Sequence, residues 1–140
     1  MKEVRRELAQ QVWHQKSQPV AESRFHTLFV RNPQPMWIYD VKTLRVLDVN
    51  QAALDRYGYT REQFLELTIK DLRPAEDVPK FLELIVDLPY SDRTGPWRHR
   101  LSDGTVIHVL ITSHSVRYGE TDARLVLAEN MADEPDLDLP

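Results

Sequence analysis

The first residues of the chain form a polar segment with a single apolar stripe. Val4, Leu8 and Val12 recur at i, i+4 spacing, which predicts an amphipathic helix over residues 1–18 that ends before Pro19. A single apolar stripe on a charged helix requires a partner. The pattern is compatible with packing against the chain's own domain and with a coiled-coil-like contact between two copies.

The following pattern changes from helical to strand-like, then to short helices, then back to strands. Asn50 is suited to cap a helix, Thr60 and Gln63 have the spacing of a capping box, and Asp103-Gly104 is typical of a hairpin turn. Five antiparallel strands with helices on one face constitute an α+β fold. The predicted elements are helices over Ala21–Val30, from Asn50 to Tyr57, over Arg61–Leu67 and from Pro74 to Leu88, one turn at Ile69–Arg73, a hairpin over Met36–Val49, and strands Trp97–Leu101, Thr105–Arg117 and Ala123–Met131.

Composition excludes several classes of protein. The 140 residues include no Cys, which excludes a disulfide scaffold, thiolate metal sites and Cys nucleophiles. The net charge is −4, so no basic footprint for nucleic acid is present. The apolar runs are much shorter than the roughly 20 residues that span a bilayer, so we expect no membrane segment and a cytoplasmic location.

Four stretches of the chain occur in a characteristic order: NPQPMWIYD, VLDVNQAALDRYGYTREQF, IKDLRPAEDV and WRHRLSDGTVIHV. Taken together and in that order, they resemble the PAS domain family, as found in bacterial sensor histidine kinases and diguanylate cyclases. A PAS domain is implied over residues 19–132, followed by an acidic tail or linker at 133–140. PAS domains often end in Asp-Ile/Val-Thr, whereas this chain has Asn130-Met131-Ala132, which cannot anchor a linker by charge.

The resemblance implies a ligand cavity between the inner face of the sheet and the helices. Side chains alternate along strands, so one parity of each strand faces inward. For nearly all of these positions, taken one by one, a packed core is the simpler explanation. The expected ligand-binding residues are Trp37, Tyr39, Leu54, Tyr57, Ile69, Leu72, Phe81, Ile85, His99, Val109, Ile111, Ser113 and Ala128.

His99 is the most informative polar residue of that set. Facing the cavity, it is a candidate anchor for a ligand; alternatively, it is a core histidine that bonds to Tyr39, Tyr57 or a backbone group. With no acidic residue assigned to the inner set, burial should keep His99 neutral at pH 7. Arg98 and Arg100 should face outward.

No cofactor or metal is predicted. Flavin adducts in this fold need a Cys near Ile69, and the ring-binding amides correspond here to His99, Val109 and Ala128. The helix predicted up to Leu88 lacks the His that haem-binding relatives carry. His108 and His114 cannot share a metal ion. They are six residues apart on one predicted strand, and at about 3.3 Å per residue this separates them by roughly 20 Å.

The sequence therefore favours a non-enzymatic sensor and dimerisation module in a bacterial signalling protein. Its ligand, if present, is a small, partly apolar molecule, and its output domain is a histidine kinase or a diguanylate cyclase. The alternatives are a protein-interaction domain with a filled core and, more remotely, a small enzyme that uses the cavity. The predicted homodimer interface comprises Val4, Leu8, Val12, Met36, Ile38 and Leu110.

Overall fold

The structure is a computed structural model and describes residues 26–131. The chain divides into two units, Met1–Arg31 and Asn32–Pro140. In the first unit, residues 26–31 are helical, which agrees with the end of the predicted second helix. The amphipathic helix predicted at 1–18, with Val4, Leu8 and Val12, and the tail at 133–140 lie outside the described residues.

The second unit contains one antiparallel sheet of five strands in the order β2-β1-β5-β4-β3. The predicted α+β architecture is confirmed, and the short helices of this unit, within the described residues, lie between β2 and β3 in the sequence. The strands are β1 Met36–Asp40, β2 Val46–Val49, β3 Ser91–Arg100, β4 Val106–Tyr118 and β5 Thr121–Asn130; the helices are α1 Gln51–Tyr57, α2 Arg61–Leu65, α3 Val78–Ile85 and the 3-10 turns Ile69–Leu72 and Ala75–Asp77.

Local signals in the sequence position the first helices correctly. The Asn50 side chain accepts from Ala53 N, as a helix cap does, and Gly58 ends α1 with a left-handed φ of 84°. The capping box is also present: Thr60 Oγ1 accepts from Gln63 N at 3.1 Å, and Gln63 Oε1 accepts from Thr60 N at 2.9 Å. These caps fix where α1 begins and ends and where α2 begins.

The third strand begins earlier than the sequence indicates. It starts at Ser91 instead of Trp97, because Gly95 and Pro96 lie within the strand at a shift of register between Thr94 and Trp97. Pro is tolerated at such a bulge, where a ladder hydrogen bond is already absent. The predicted strand start was therefore wrong, and the edge of the sheet is longer than expected.

The long helix also differs from its prediction over Pro74–Leu88. Pro74 precedes the 3-10 turn Ala75–Asp77, and α3 begins at Val78 with a proline in its first turn. The helix ends at Ile85. A second proline, Pro79, thus sets the start of the α-helix, which places Phe81 over the sheet.

The core lies between the inner face of the sheet and the helices, with the strand parity that the sequence predicts. Trp37 and Tyr39 of β1 belong to it. On the outer face, Ile38 is only 1% exposed, and its place in a dimer interface stays a prediction. Met36 and Leu110 are half-buried, and their place in a dimer interface stays a prediction.

Candidate functional site

A cavity of about 40 Å³ lies on the inner face of the sheet. Leu84, at one side of it, is 38% exposed, so the cavity is bounded by solvent near the end of α3. Its walls are apolar with a few polar groups, the usual composition of a small-molecule site. The lining residues are Trp37, Tyr39, Ile69, Arg73, Phe81, Leu84, Ile85, Leu88, Asp92, Thr94, Trp97, His99, Ile111, Ser113 and Val126.

The predicted ligand-binding residues fall into two groups. The residues that line the cavity are Trp37, Tyr39, Ile69, Phe81, Ile85, His99, Ile111 and Ser113. The others are buried but do not line it: Leu54, Tyr57, Leu72, Val109 and Ala128. Strand parity identifies the correct face of the sheet, but it cannot tell a cavity wall from the packed layer behind it.

Several lining residues were missed by the sequence prediction. Asp92, Thr94 and Trp97 belong to the part of β3 around the unrecognised bulge. Val126 has the same parity on β5 as Ala128, so the alternation rule would have found it. Arg73 was missed because a long charged side chain is assigned to solvent by default.

His99 is the centre of a buried polar chain. Its ring is 1% exposed; Nε2 lies 2.9 Å from Arg73 Nη2, and Nδ1 lies 2.6 Å from the Tyr57 hydroxyl. Burial, and secondarily the charge of Arg73, lowers the pKa of His99 well below its usual value. His99 is therefore neutral at pH 7 and is bonded within the core.

Arg73 is a buried cation, 4% exposed, and its guanidinium lies 3.5 Å from the centre of the Phe81 ring. Its Nη1 donates to Ile69 O at 3.1 Å, and Nη2 donates to His99. Nε is buried and has no hydrogen-bond partner. Burial lowers the pKa of Arg73 to about 10, so the side chain remains charged at neutral pH.

Arg124 is a second buried cation, 3% exposed, on the central strand β5. Its Nε donates to Ser113 Oγ at 2.9 Å and its Nη1 to Ser115 Oγ at 3.0 Å. Its Nη2 is buried and has no hydrogen-bond partner. Arg124 has the parity of Val126 and Ala128 on β5, but the predicted inner set does not include it.

Arg98 lies outside the cavity, as predicted, and connects β3 to the turn before α3. It donates to Asp77 from Nε at 2.9 Å and from Nη2 at 2.8 Å, and its Nη2 is 3.1 Å from Glu76. The hydrogen bond from Arg98 is the main cause that lowers the pKa of Asp77. This ion-pair cluster uses the carboxylates of Asp77 and Glu76, so both acids are already paired outside the cavity.

Neither a cluster of metal ligands nor a membrane-spanning helix is present in the described part of the chain. No three His, Asp or Glu side chains within residues 26–131 gather closely enough to hold a metal ion. Among the same residues, no helix has both the length and the apolar character needed to cross a bilayer.

Comparison with known proteins extends over most of the second unit. A family model described as a PAS domain matches residues 33–133. A stretch of 56 residues is 32% identical to the methyl sulfide methyltransferase-associated sensor of Methanosarcina acetivorans. That stretch is 40% of this chain but only 6% of the length of that protein.

Solved structures share the fold at low sequence identity. The PAS domain of an HTR-like protein from Haloarcula marismortui is 18% identical, with a TM-score of 0.68 over 84% of this chain and 98% of that one. A domain of a sensory box sensor histidine kinase/response regulator from Geobacter sulfurreducens is 22% identical, with a TM-score of 0.64 over 78% of this chain and 93% of that one.

Proposed function

This chain belongs to the PAS domain family and is a sensor domain of signalling proteins, and we propose that its cavity binds a small, partly apolar molecule. The observation that carries this proposal is the cavity itself, lined on the sheet side by Trp37 and Ile111 and on the helix side by Phe81 and Ile85. The module is proposed to be non-enzymatic and cytoplasmic, within a bacterial signalling protein.

The proposed signal is a change in the cavity wall that reaches the end of the sheet. Val126 lines the cavity, and the same strand, β5, ends four residues later at Asn130. A ligand that binds one arrangement of wall and strand better than another shifts the population between them. The proposed readout is a homodimer interface and an output domain, such as the histidine kinase to which the Geobacter sulfurreducens relative is assigned by its name.

One specific observation favours a second candidate, a protein-interaction domain without a ligand. The cavity of about 40 Å³ is far smaller than the roughly 300–1,000 Å³ of typical ligand sites. In addition, both ring nitrogens of His99 already have partners inside the protein. A ligand must therefore be small or must enlarge the cavity when it binds.

Native mass spectrometry of the purified chain tests the two candidates. A bound molecule, released on denaturation, is expected for the sensor. Ile111→Phe should fill the cavity and abolish that extra mass, whereas the matched variant Leu110→Phe, one residue along β4 on its opposite face, should retain it. A protein without bound mass whose thermal midpoint responds to no small molecule would instead support the interaction domain.

A further inference from the structure

Arg73 and Arg124 are the unusual feature of the cavity region, since both are buried and charged. Neither lies within salt-bridge distance of a carboxylate in the described part of the chain. Their hydrogen bonds go to neutral groups: a backbone carbonyl, an imidazole and two serine hydroxyls. A buried cation without a counter-ion is expensive, and an anion that enters beside it relieves that cost.

Each of these guanidinium groups also has one nitrogen that makes no hydrogen bond. Arg73 Nε and Arg124 Nη2 are buried and have no hydrogen-bond partner. Buried polar groups in proteins are nearly always hydrogen-bonded, so these N–H groups, one on a lining residue and one on a residue bonded to the lining Ser113, require an explanation. An acceptor supplied by a ligand would satisfy them.

The two cations are close to the same wall of the cavity. Arg73 lines it directly, and Arg124 bonds to Ser113, which lines it. Tyr39 pairs with Arg124 in the β1–β5 register, and the charges of Arg73 and Arg124 both act on the Tyr39 hydroxyl. Both positive charges thus act on Tyr39, a residue that lines the cavity.

The local charge count specifies the ligand further. Asp92 is the one carboxylate among the residues that line the cavity, and it interacts with Arg124. Asp77 also acts on Arg73, but its carboxylate is hydrogen-bonded to Arg98. The two buried cations and the one lining carboxylate therefore leave a net charge of about +1, because His99 is neutral. This balance matches a monoanion better than a dianion, and the forked geometry of a guanidinium suits a carboxylate.

We propose, on the basis of the ligand-binding role proposed above, that the cavity binds a small monocarboxylate with a short apolar chain. The carboxylate accepts hydrogen bonds from Arg73 Nε and from Arg124 Nη2. The short apolar chain of the acid packs against Trp37 and Phe81. The cavity volume of about 40 Å³ corresponds to only a few water positions at about 10–15 Å³ each, so the acid has a handful of non-hydrogen atoms.

Three probes with one apolar body and different head charges test the proposal on the intact chain. Butyrate, butyramide and butylammonium are titrated at constant ionic strength while the thermal midpoint is measured. Saturating butyrate should raise the midpoint by several degrees, and the other two should not. Equal shifts with butyramide would overturn the carboxylate assignment but leave a ligand-binding cavity. No shift with any probe would also overturn it, while the native mass spectrum reports separately on the ligand-binding role.

Variants separate recognition from general stability. Arg73→Gln and Arg124→Gln should each weaken butyrate binding about tenfold or more, whereas Arg117→Gln, at an exposed pair with Asp122, should leave it unchanged. Asp92→Asn removes the competing carboxylate and should tighten binding. Undiminished affinity in a folded Arg73→Gln protein would overturn the proposal. If Arg73→Gln does not fold, the other two variants test the proposal. Butyrate affinity should fall in Arg124→Gln and rise in Asp92→Asn, and changes in the opposite directions would overturn the proposal.

Discussion

The Tyr57 hydroxyl lies 2.6 Å from Nδ1 of His99, on the opposite side of the ring from Arg73. Arginine can only donate, so Nε2 of His99 must be the acceptor and carries no proton. The proton of the neutral imidazole is therefore on Nδ1, which donates to the Tyr57 oxygen. The order of donation through the core is from Arg73 to His99 to Tyr57.

We expect nitrogen NMR of the imidazole to show His99 as the neutral Nδ1–H tautomer near pH 7. In Tyr57→Phe, the Nδ1–H loses its acceptor, which should cost about 1–3 kcal/mol of unfolding free energy as an unsatisfied buried donor. The nitrogen NMR spectrum checks which ring nitrogen of His99 carries the proton. An imidazolium, or a proton on Nε2, would contradict the order of donation.

Stability should fall in mild acid because of His99. Its pKa is lowered in the folded state, so below the unfolded value of about 6.5 the unfolded chain binds a proton that the folded chain does not. This single group should remove about 1 kcal/mol between about pH 7 and about pH 5.5, at no more than about 1.4 kcal/mol per pH unit. Urea unfolding at several pH values measures the loss.

The control for that pH effect is His99→Gln, which keeps an acceptor for Arg73 but does not titrate. Its unfolding free energy should depend less on pH than that of the natural chain over the same range. Two parallel curves would show that the acid sensitivity arises elsewhere in the protein.

Asn50 is expected to be one of the most sensitive polar positions. Its Oδ1 accepts from Ala53 N and from Met36 N, both at 3.0 Å, and its Nδ2 donates to Gln34 O at 3.0 Å. Asn50→Ala loses a helix cap and leaves a donor of β1 unpaired, for a total of about 2–4 kcal/mol by urea unfolding. Asn50→Asp keeps the accepting oxygen and should lose less. Equal losses in the two variants would contradict this account.

Deletion of residues 1–18 tests the predicted dimer contact of Val4, Leu8 and Val12. The expected result is a monomer, measured by light scattering over a range of protein concentrations. The variant Leu8→Glu places a charge in the same stripe and should have a similar effect without shortening the chain. A dimer of unchanged strength in both proteins would remove the N-terminal helix from the interface.

Local signals explain which parts of this fold the sequence predicts. Asn50, Gly58 and Thr60 act through backbone groups within a few residues, so their roles are legible in the sequence. The bulge at Gly95 is not, because the partner strand decides whether a Gly-Pro pair interrupts or continues β3.

The cavity is predictable in the same partial way. Alternation along β1 places Trp37 and Tyr39 on the correct face, since period two needs no tertiary information. The buried positions of Arg73 and Arg124 depend on partners far apart in the sequence, His99 for one and Ser113 for the other. Composition alone assigns such charged side chains to the surface.

The sheet order also bears on how such a domain is joined to other sequences. Met36, at the start of β1, is paired with Leu127, near the end of β5, and Ala128 N donates to Pro35 O at 3.0 Å. The entry and exit of the sheet are therefore neighbours at its centre. A domain with adjacent ends can be spliced into a host chain at a single point. It should also tolerate circular permutation, with a short linker across those ends and a new break at Gly104.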